Sequence, residues 1–232
     1  YNLCAPKLAA QYRIEEKPLN TLLGAEYMPL RRAFQADTAY AVRDRVTDVM
    51  ITTGGSDPYF AAGAFMDAFL GAESTFCCGH EKNPITWHIV SGPFNTFADQ
   101  LKETYGQHDN VVIHEGLKDL KALMKQCDVV LTATGSTVYE VSALGVPMIA
   151  FYFAENQRQG AKALAELTDI VNAGCFGDDR ESVISKAVEA LKKCVDDKSY
   201  RGLLHRQERR LIDGKGAGRI ANEIFRLREI RN

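Results

Sequence analysis

Two short stretches of this chain carry the residue types needed to hold an anion. They are "ITTGGSDP" at 51–58 and "TATGSTVYE" at 132–140. Each follows an apolar run, so each is a turn at the end of a buried strand. Gly54 and Gly55 allow a tight turn and close approach to a ligand, and Ser56 adds a hydroxyl. Asp57 followed by Pro58 fits an N-cap and a first helical residue. This turn is therefore expected to aim free N–H groups and a helix dipole at an anion, worth about 0.3–1 kcal/mol and up to ~2 when partly buried. Thr134, Gly135, Ser136 and Thr137 offer hydroxyls and amides to a second anionic group. Glu140 has two readings. Thr137-x-x-Glu140 spells a capping box, in which the carboxylate returns to the Thr137 N–H. A carboxylate at this place is also the acceptor that a ribose diol requires.

Two further turns join these. In "FAENQ" (153–157), Glu155, Asn156 and Gln157 follow a strand directly and open a helix, with Asn156 a fair N-cap. In "HEGLKD" (114–119), Gly116 and Leu117 can form a flat backbone edge against a base, while His114 reads as structural. The set suits a nucleoside diphosphate, but it supplies no nucleophile and base. No His–Asp–Ser arrangement and no GxSxG motif is present. "DGKGAG" (213–218) lacks the preceding strand and following Ser or Thr of a phosphate loop, and reads as a turn. The six cysteines form no CxxC pair, and the adjacent thiols of "CCGH" (77–80) cannot easily share one ion, so neither a metal nor a cofactor is expected.

The elements that must position these turns alternate along the chain. Buried strands are expected at 47–53, 85–91, 110–114, 128–133 and 146–153, with a weaker one at 168–174. Helices are expected at 59–70, up to about 105, at 117–127, 137–145 and 156–167. Short apolar runs alternating with amphipathic segments mean parallel strands with helical crossovers on both faces. The fold class is therefore α/β, a Rossmann-like doubly wound parallel sheet, whose ligands sit beyond the carboxyl ends of the strands. After residue 179 three amphipathic helices follow.

Residues 1–40 complete no strand–helix–strand unit. They are expected to be the tail of a preceding domain, or a docked arm, with a charged linker leading into the sheet. Residues 41–215 would form the domain and 216–232 a C-terminal helix. The first residue is Tyr1 rather than Met, which suggests that a first part is missing. The 232 residues are 46% hydrophobic and 25% charged with net charge −2, which argues against nucleic acid as the partner. The longest apolar stretch, 143–154, contains Gly and Pro and is too short to span a bilayer. With no signal peptide visible, a cytoplasmic location is expected.

In the same order, "LLGAEYMPLRRAF", "ITTGGSDP", "VVLTATGSTVYEVSALGVPMIAFYFAENQ" and "DGKGAGRIA" resemble the UDP-sugar hydrolases of pseudaminic acid biosynthesis, UDP-2,4-diacetamido-2,4,6-trideoxy-β-L-altropyranose hydrolases. The related spore-coat polysaccharide proteins share these motifs. The resemblance runs from about Leu22 onward; "GGS" and "GSTVYE" alone recur more widely among GT-B glycosyltransferases. It implies the C-terminal domain of a GT-B architecture, with a UDP-sugar as the ligand. By motif, Gly55, Ser56, Gly135, Ser136 and Thr137 would face the diphosphate and Glu140 the ribose. Leu117 and its neighbours would border the uracil, and Asn156 would lie near the sugar. The implied reaction is metal-free hydrolysis at the anomeric carbon, releasing UDP and a free amino sugar. The family's catalytic histidine lies in a glycine-rich motif of its first domain. No motif here matches it, so no catalytic residue is assigned and the chain alone is expected to be inactive. Glycosyl transfer and non-catalytic nucleotide-sugar binding are the alternatives.

Overall fold

The computed structural model describes residues 22–35, 40–72, 76 and 85–230. Its centre is a six-stranded, wholly parallel sheet in the order β3-β2-β1-β4-β5-β6. The strands are β1 (Asp48–Thr52), β2 (Thr86–Ser91), β3 (Val111–Glu115), β4 (Val129–Ala133), β5 (Met148–Tyr152) and β6 (Asn172–Cys175). β4 and β5 are buried along their full length, which is why they appear in the sequence as unbroken apolar runs rather than alternating ones. The expected strands are all present. The weakest, β6, pairs irregularly with β5.

The helices are α1 (Ala61–Gly71), α2 (Ala98–Tyr105), α3 (Leu120–Gln126), α4 (Ser136–Leu144) and α5 (Glu155–Leu167), followed by α6 (Arg180–Asp196), α7 (Lys198–Leu211) and α8 (Gly216–Ile230). α1 packs on α6, and the Tyr105 hydroxyl of α2 donates to the Gly63 carbonyl of α1 at 2.8 Å. α4 packs against α3 and α7. The core includes an aromatic cluster of Phe65, Phe69, Trp87 and Phe151, with Phe69 stacked on Trp87 at 5.2 Å between ring centroids.

The chain runs β1 to β2 to β3 outward, then returns to place β4 on the other side of β1. The crossovers on the two sides of this point diverge and leave a crevice at the carboxyl ends of β1 and β4. Residues 22–35 cover one side of it with two 3-10 turns, Ala25–Tyr27 and Arg32–Phe34. The first turn packs on α8 and the second on α4. The segment leading into β1 is pinned as well. Arg43 donates to Asp128 Oδ1 at 2.8 Å, and the buried Arg201 guanidinium donates to the carbonyls of Arg43 and Asp44. Among the described residues no helix is long and apolar enough to cross a membrane.

Candidate functional site

The turn after β1 departs from the sequence expectation in one respect. Gly54 takes a positive φ of 85°, the backbone state that its lack of a side chain permits. α1, however, does not start at Pro58. Its N-cap is Phe60, in a left-handed conformation with φ 53°. Asp57 acts on the helix from further back. Its Oδ1 accepts the Ala61 N–H at 2.7 Å and its Oδ2 the Ala62 N–H at 2.9 Å. The expected Asp57–Pro58 pair of cap and first residue is thus replaced by a carboxylate bonding the first two amides. Those amides are consumed, so α1 offers no open dipole to a ligand. Gly54, Gly55, Ser56 and Pro58 of this turn line the crevice.

α4 is the opposite case. Its N-cap is Gly135, and no side chain caps it. Thr137 lies inside the helix, so the Thr137–Glu140 capping box does not form. Glu140 is 7% exposed, and both of its oxygens are taken by Arg31, with Nε donating to Oε1 at 2.6 Å and Nη2 to Oε2 at 2.9 Å. This two-pronged geometry is the strong form of a carboxylate–guanidinium contact. The bond to Glu140 holds the Arg31 guanidinium above its ordinary pKa. The Arg31 guanidinium also lies over the Phe34 ring at 5.3 Å. The amides at the start of α4 are therefore left to whatever enters the crevice.

The crevice is a cleft of about 930 Å³. Gly54, Gly55, Ser56, Gly116, Leu117, Gly135, Ser136, Thr137 and Glu140 line it, and so do Asn156 and Gln157. Four turns far apart in sequence thus meet. Two expected residues do not line it. Thr134 is turned back to β5, its N–H and hydroxyl both donating to the Phe151 carbonyl at 2.7 and 3.0 Å. Glu155 points outward and pairs with Arg158 at 2.8 Å. Nor does Asn156 cap α5, whose N-cap is Ala154. The Gln157 side-chain carbonyl accepts the Phe153 N–H at 2.9 Å, fixing that turn.

His114 is 3.0 Å from His88, which is 2.9 Å from Asp48 Oδ1. Burial, then the neighbouring His88, push the His114 imidazole below its ordinary pKa. It is a member of an internal polar chain and does not line the cleft. Cys127, Cys175 and Cys194 are free thiols. Burial pushes the Cys194 thiol up to about 12, so it is not a ready nucleophile. "CCGH" lies outside the described residues. Among the described residues no group of three or more His, Cys, Asp or Glu is placed to hold a metal ion.

Several lining residues were not singled out from sequence. Arg31 belongs to a stretch read as a tail or docked arm and as part of the motif "LLGAEYMPLRRAF", but it was given no role of its own. Thr53 lines the cleft with a buried hydroxyl that has no hydrogen-bond partner among the described residues. Ser91, the last residue of β2, and Gly92 and Pro93 after it also line the cleft.

Over residues 82–160 the chain matches a family described as a protein of unknown function, DUF354. It is 26% identical over 200 residues to the spore coat polysaccharide biosynthesis protein SpsG of Bacillus subtilis, covering 85% of this chain and 56% of that protein. It is also 26% identical over 156 residues to an uncharacterised protein of Methanocaldococcus jannaschii, covering 64% of this chain and 30% of the other. The chain thus spans about half or less of these relatives. Among solved structures it resembles the MurG of Acinetobacter baumannii, with TM-score 0.59 and 14% identity over 92% of this chain and 58% of that one. It resembles the glycotransferase of kitacinnamycin, with TM-score 0.56 and 21% identity over 84% and 46%. A third is the UDP-GlcNAc 2-epimerase of Neisseria meningitidis bound to UDP-GlcNAc, with TM-score 0.55 and 14% identity over 80% and 45%. At these identities the likeness is one of fold. The sheet and its flanking helices share the fold of the matching parts of these three structures.

Proposed function

We propose that the cleft holds a nucleoside diphosphate sugar of the UDP type. The observation that carries this is the meeting of Gly54–Ser56, the uncapped start of α4 and the buried Glu140 at the point where the strand order reverses. In this reading the backbone amides of the β1 turn and of Ser136 and Thr137 take the diphosphate. Glu140 accepts from the ribose hydroxyls, and Gly116 with Leu117 borders the base. Asn156 and Gln157 stand toward the sugar. Each role follows from chemistry: amides for phosphate oxygens, a carboxylate for a diol, an apolar edge for a ring.

In the whole protein, the reaction we infer is hydrolysis at the anomeric carbon, releasing UDP and a free amino sugar for a bacterial surface polysaccharide or a glycan of the pseudaminic acid type. It would take place in the cytoplasm. SpsG's name as a polysaccharide biosynthesis protein supports the pathway class. Among the described lining residues the only ionisable side chains are Arg31 and Glu140. In this reading the groups acting on the sugar belong to a preceding domain, of which residues 1–40 are the tail and linker. Glycosyl transfer is the competing reaction, favoured by the fold shared with the MurG and kitacinnamycin enzymes.

The test is twofold. Calorimetric titration of the chain with UDP, against ADP and CDP, examines nucleotide binding; no uptake of UDP rejects the reading. Incubating the full-length protein with a UDP-amino sugar separates the reactions. UDP release in water alone supports hydrolysis, and release only with a sugar acceptor supports transfer.

A further inference from the structure

The charges lining the cleft are unusual for an anion site. Among the described lining residues Arg31 is the sole cation and Glu140 the sole acid, and each neutralises the other. Among the described residues, a diphosphate entering with this pair intact would meet amides and hydroxyls but no free positive charge. A ribose diol would meet a carboxylate whose two oxygens are both already accepting from Arg31. Two partners of a nucleotide are thus spent on one another.

The two side chains are not equally fixed. Glu140 sits on α4 with its side chain 9% exposed, whereas that of Arg31 is 56% exposed. The backbone that carries Arg31 is anchored. Leu30 and Phe34 are buried, Gln35 Nε2 donates to the Leu30 carbonyl at 2.6 Å, and Lys121 Nζ donates to the Ala33 carbonyl at 2.8 Å. A long, solvated side chain on a fixed mount can swing without moving the arm. The Phe34 ring beneath the guanidinium gives it a second resting contact once the carboxylate is gone.

We infer that Arg31 is a diphosphate-binding residue held in reserve on Glu140. When nucleotide enters, the ribose hydroxyls replace the guanidinium on the carboxylate, and Arg31 turns to the phosphate oxygens. The exchange leaves neither group unsatisfied, since Glu140 accepts from two neutral hydroxyls while Arg31 gains an anion that binds it in the same fork geometry. It also sets selectivity. A nucleoside must displace Arg31 without compensation, whereas a nucleoside diphosphate displaces it and then binds it.

This inference rests on the nucleotide reading of the cleft, and one experiment separates the two. Affinities for UDP and for uridine are measured by calorimetry on the chain and on the R31A, R31K and R31A/E140Q variants, with melting temperatures recorded alongside. The double variant avoids leaving a buried unpaired carboxylate, so it remains interpretable if R31A folds poorly. The expected result is that R31A loses UDP affinity roughly ten- to hundred-fold while uridine binds as before or more tightly. R31K, which keeps the charge without the fork, falls between. If R31A weakens UDP and uridine by the same factor, or changes neither, Arg31 only positions Glu140 and the inference is overturned. If the unaltered chain binds neither ligand, the nucleotide reading fails and takes this inference with it.

Discussion

Gly92, after β2, lies against the carbonyl of Gly54, after β1, so closely that a Cβ on Gly92 would stand 2.1 Å from that oxygen and 2.7 Å from the Gly55 oxygen. The two turns are also tied by the Phe94 N–H, which donates to the Gly55 carbonyl at 2.8 Å. The Gly54–Ser56 turn is therefore shaped by its neighbour as well as by its own glycines. A G92A variant must push the turn aside. We expect a stability loss of about 1–3 kcal/mol, as for overpacking elsewhere, and weaker UDP binding than that loss alone explains. Urea melts and titrations of the same preparation check this; an unchanged melt would mean the approach is not as tight as described.

Asp57 is 2% exposed and bonds two amides of α1. Truncation leaves both N–H groups buried and unpaired and removes what offsets the left-handed Phe60. D57A should cost about 1–3 kcal/mol, and D57N less, because its carbonyl can still accept one bond. Equal stability of the two variants would contradict this account.

Glu208 of α7 is fully buried, its Oε1 accepting the Met148 N–H at 3.2 Å while Oε2 has no partner among the described residues. Burial pushes its pKa well above the ordinary 4.5. In this window the folded state binds the proton that the unfolded state releases, so stability falls as pH rises from the unfolded value. E208Q mimics the protonated form and should flatten that decline, gaining stability near pH 7–8. A wild type and E208Q with parallel stability–pH curves would refute it.

Asp213 accepts from Arg219 at 2.8 and 2.5 Å, and Arg219 also donates to the Glu26 carbonyl at 2.9 Å. The guanidinium draws the Asp213 pKa from 3.8 to about 2. A depressed carboxylate stabilises the fold above its unfolded pKa, and that contribution is lost as pH falls through the window from 3.8 to about 2. The pair is partly exposed, so screening limits it to roughly 0.5–1 kcal/mol. The stability gap between wild type and D213N should therefore close as pH is lowered from 5 to 2. A gap independent of pH would mean that the pair contributes nothing through its charge.

Much of the sheet was legible because parallel strands buried on both faces leave apolar runs such as "DVVL" and "MIAFY", bounded by turn residues. β6 was faint because Gly174 and the shift in its pairing dilute the pattern. The convergence of the four turns followed from topology, since parallel strands must deliver their carboxyl ends to one side. What local rules could not supply was partner choice. Thr137-x-x-Glu140 fits a capping box, yet the carboxylate is claimed by Arg31, 109 residues away. Asp57-Pro58 fits a helix start, yet Phe60 turns left-handed and α1 begins at Ala61. Thr134 failed for the same reason, its hydroxyl being nearer to the β5 backbone than to the cleft.

Glu140→Ala should weaken UDP binding by about 1–3 kcal/mol through the loss of a charge-assisted acceptor. Because Arg31 loses its partner too, melting temperature must be followed in parallel. A lowered melting temperature with unaltered affinity would leave Glu140 only a structural role.

The most direct measurement is a crystal structure of the chain with UDP. The diphosphate is expected between the Gly54–Ser56 turn and the amides of Ser136 and Thr137, with the ribose hydroxyls on Glu140. UDP bound outside this cleft, or absent from it at saturating concentration, would contradict the account.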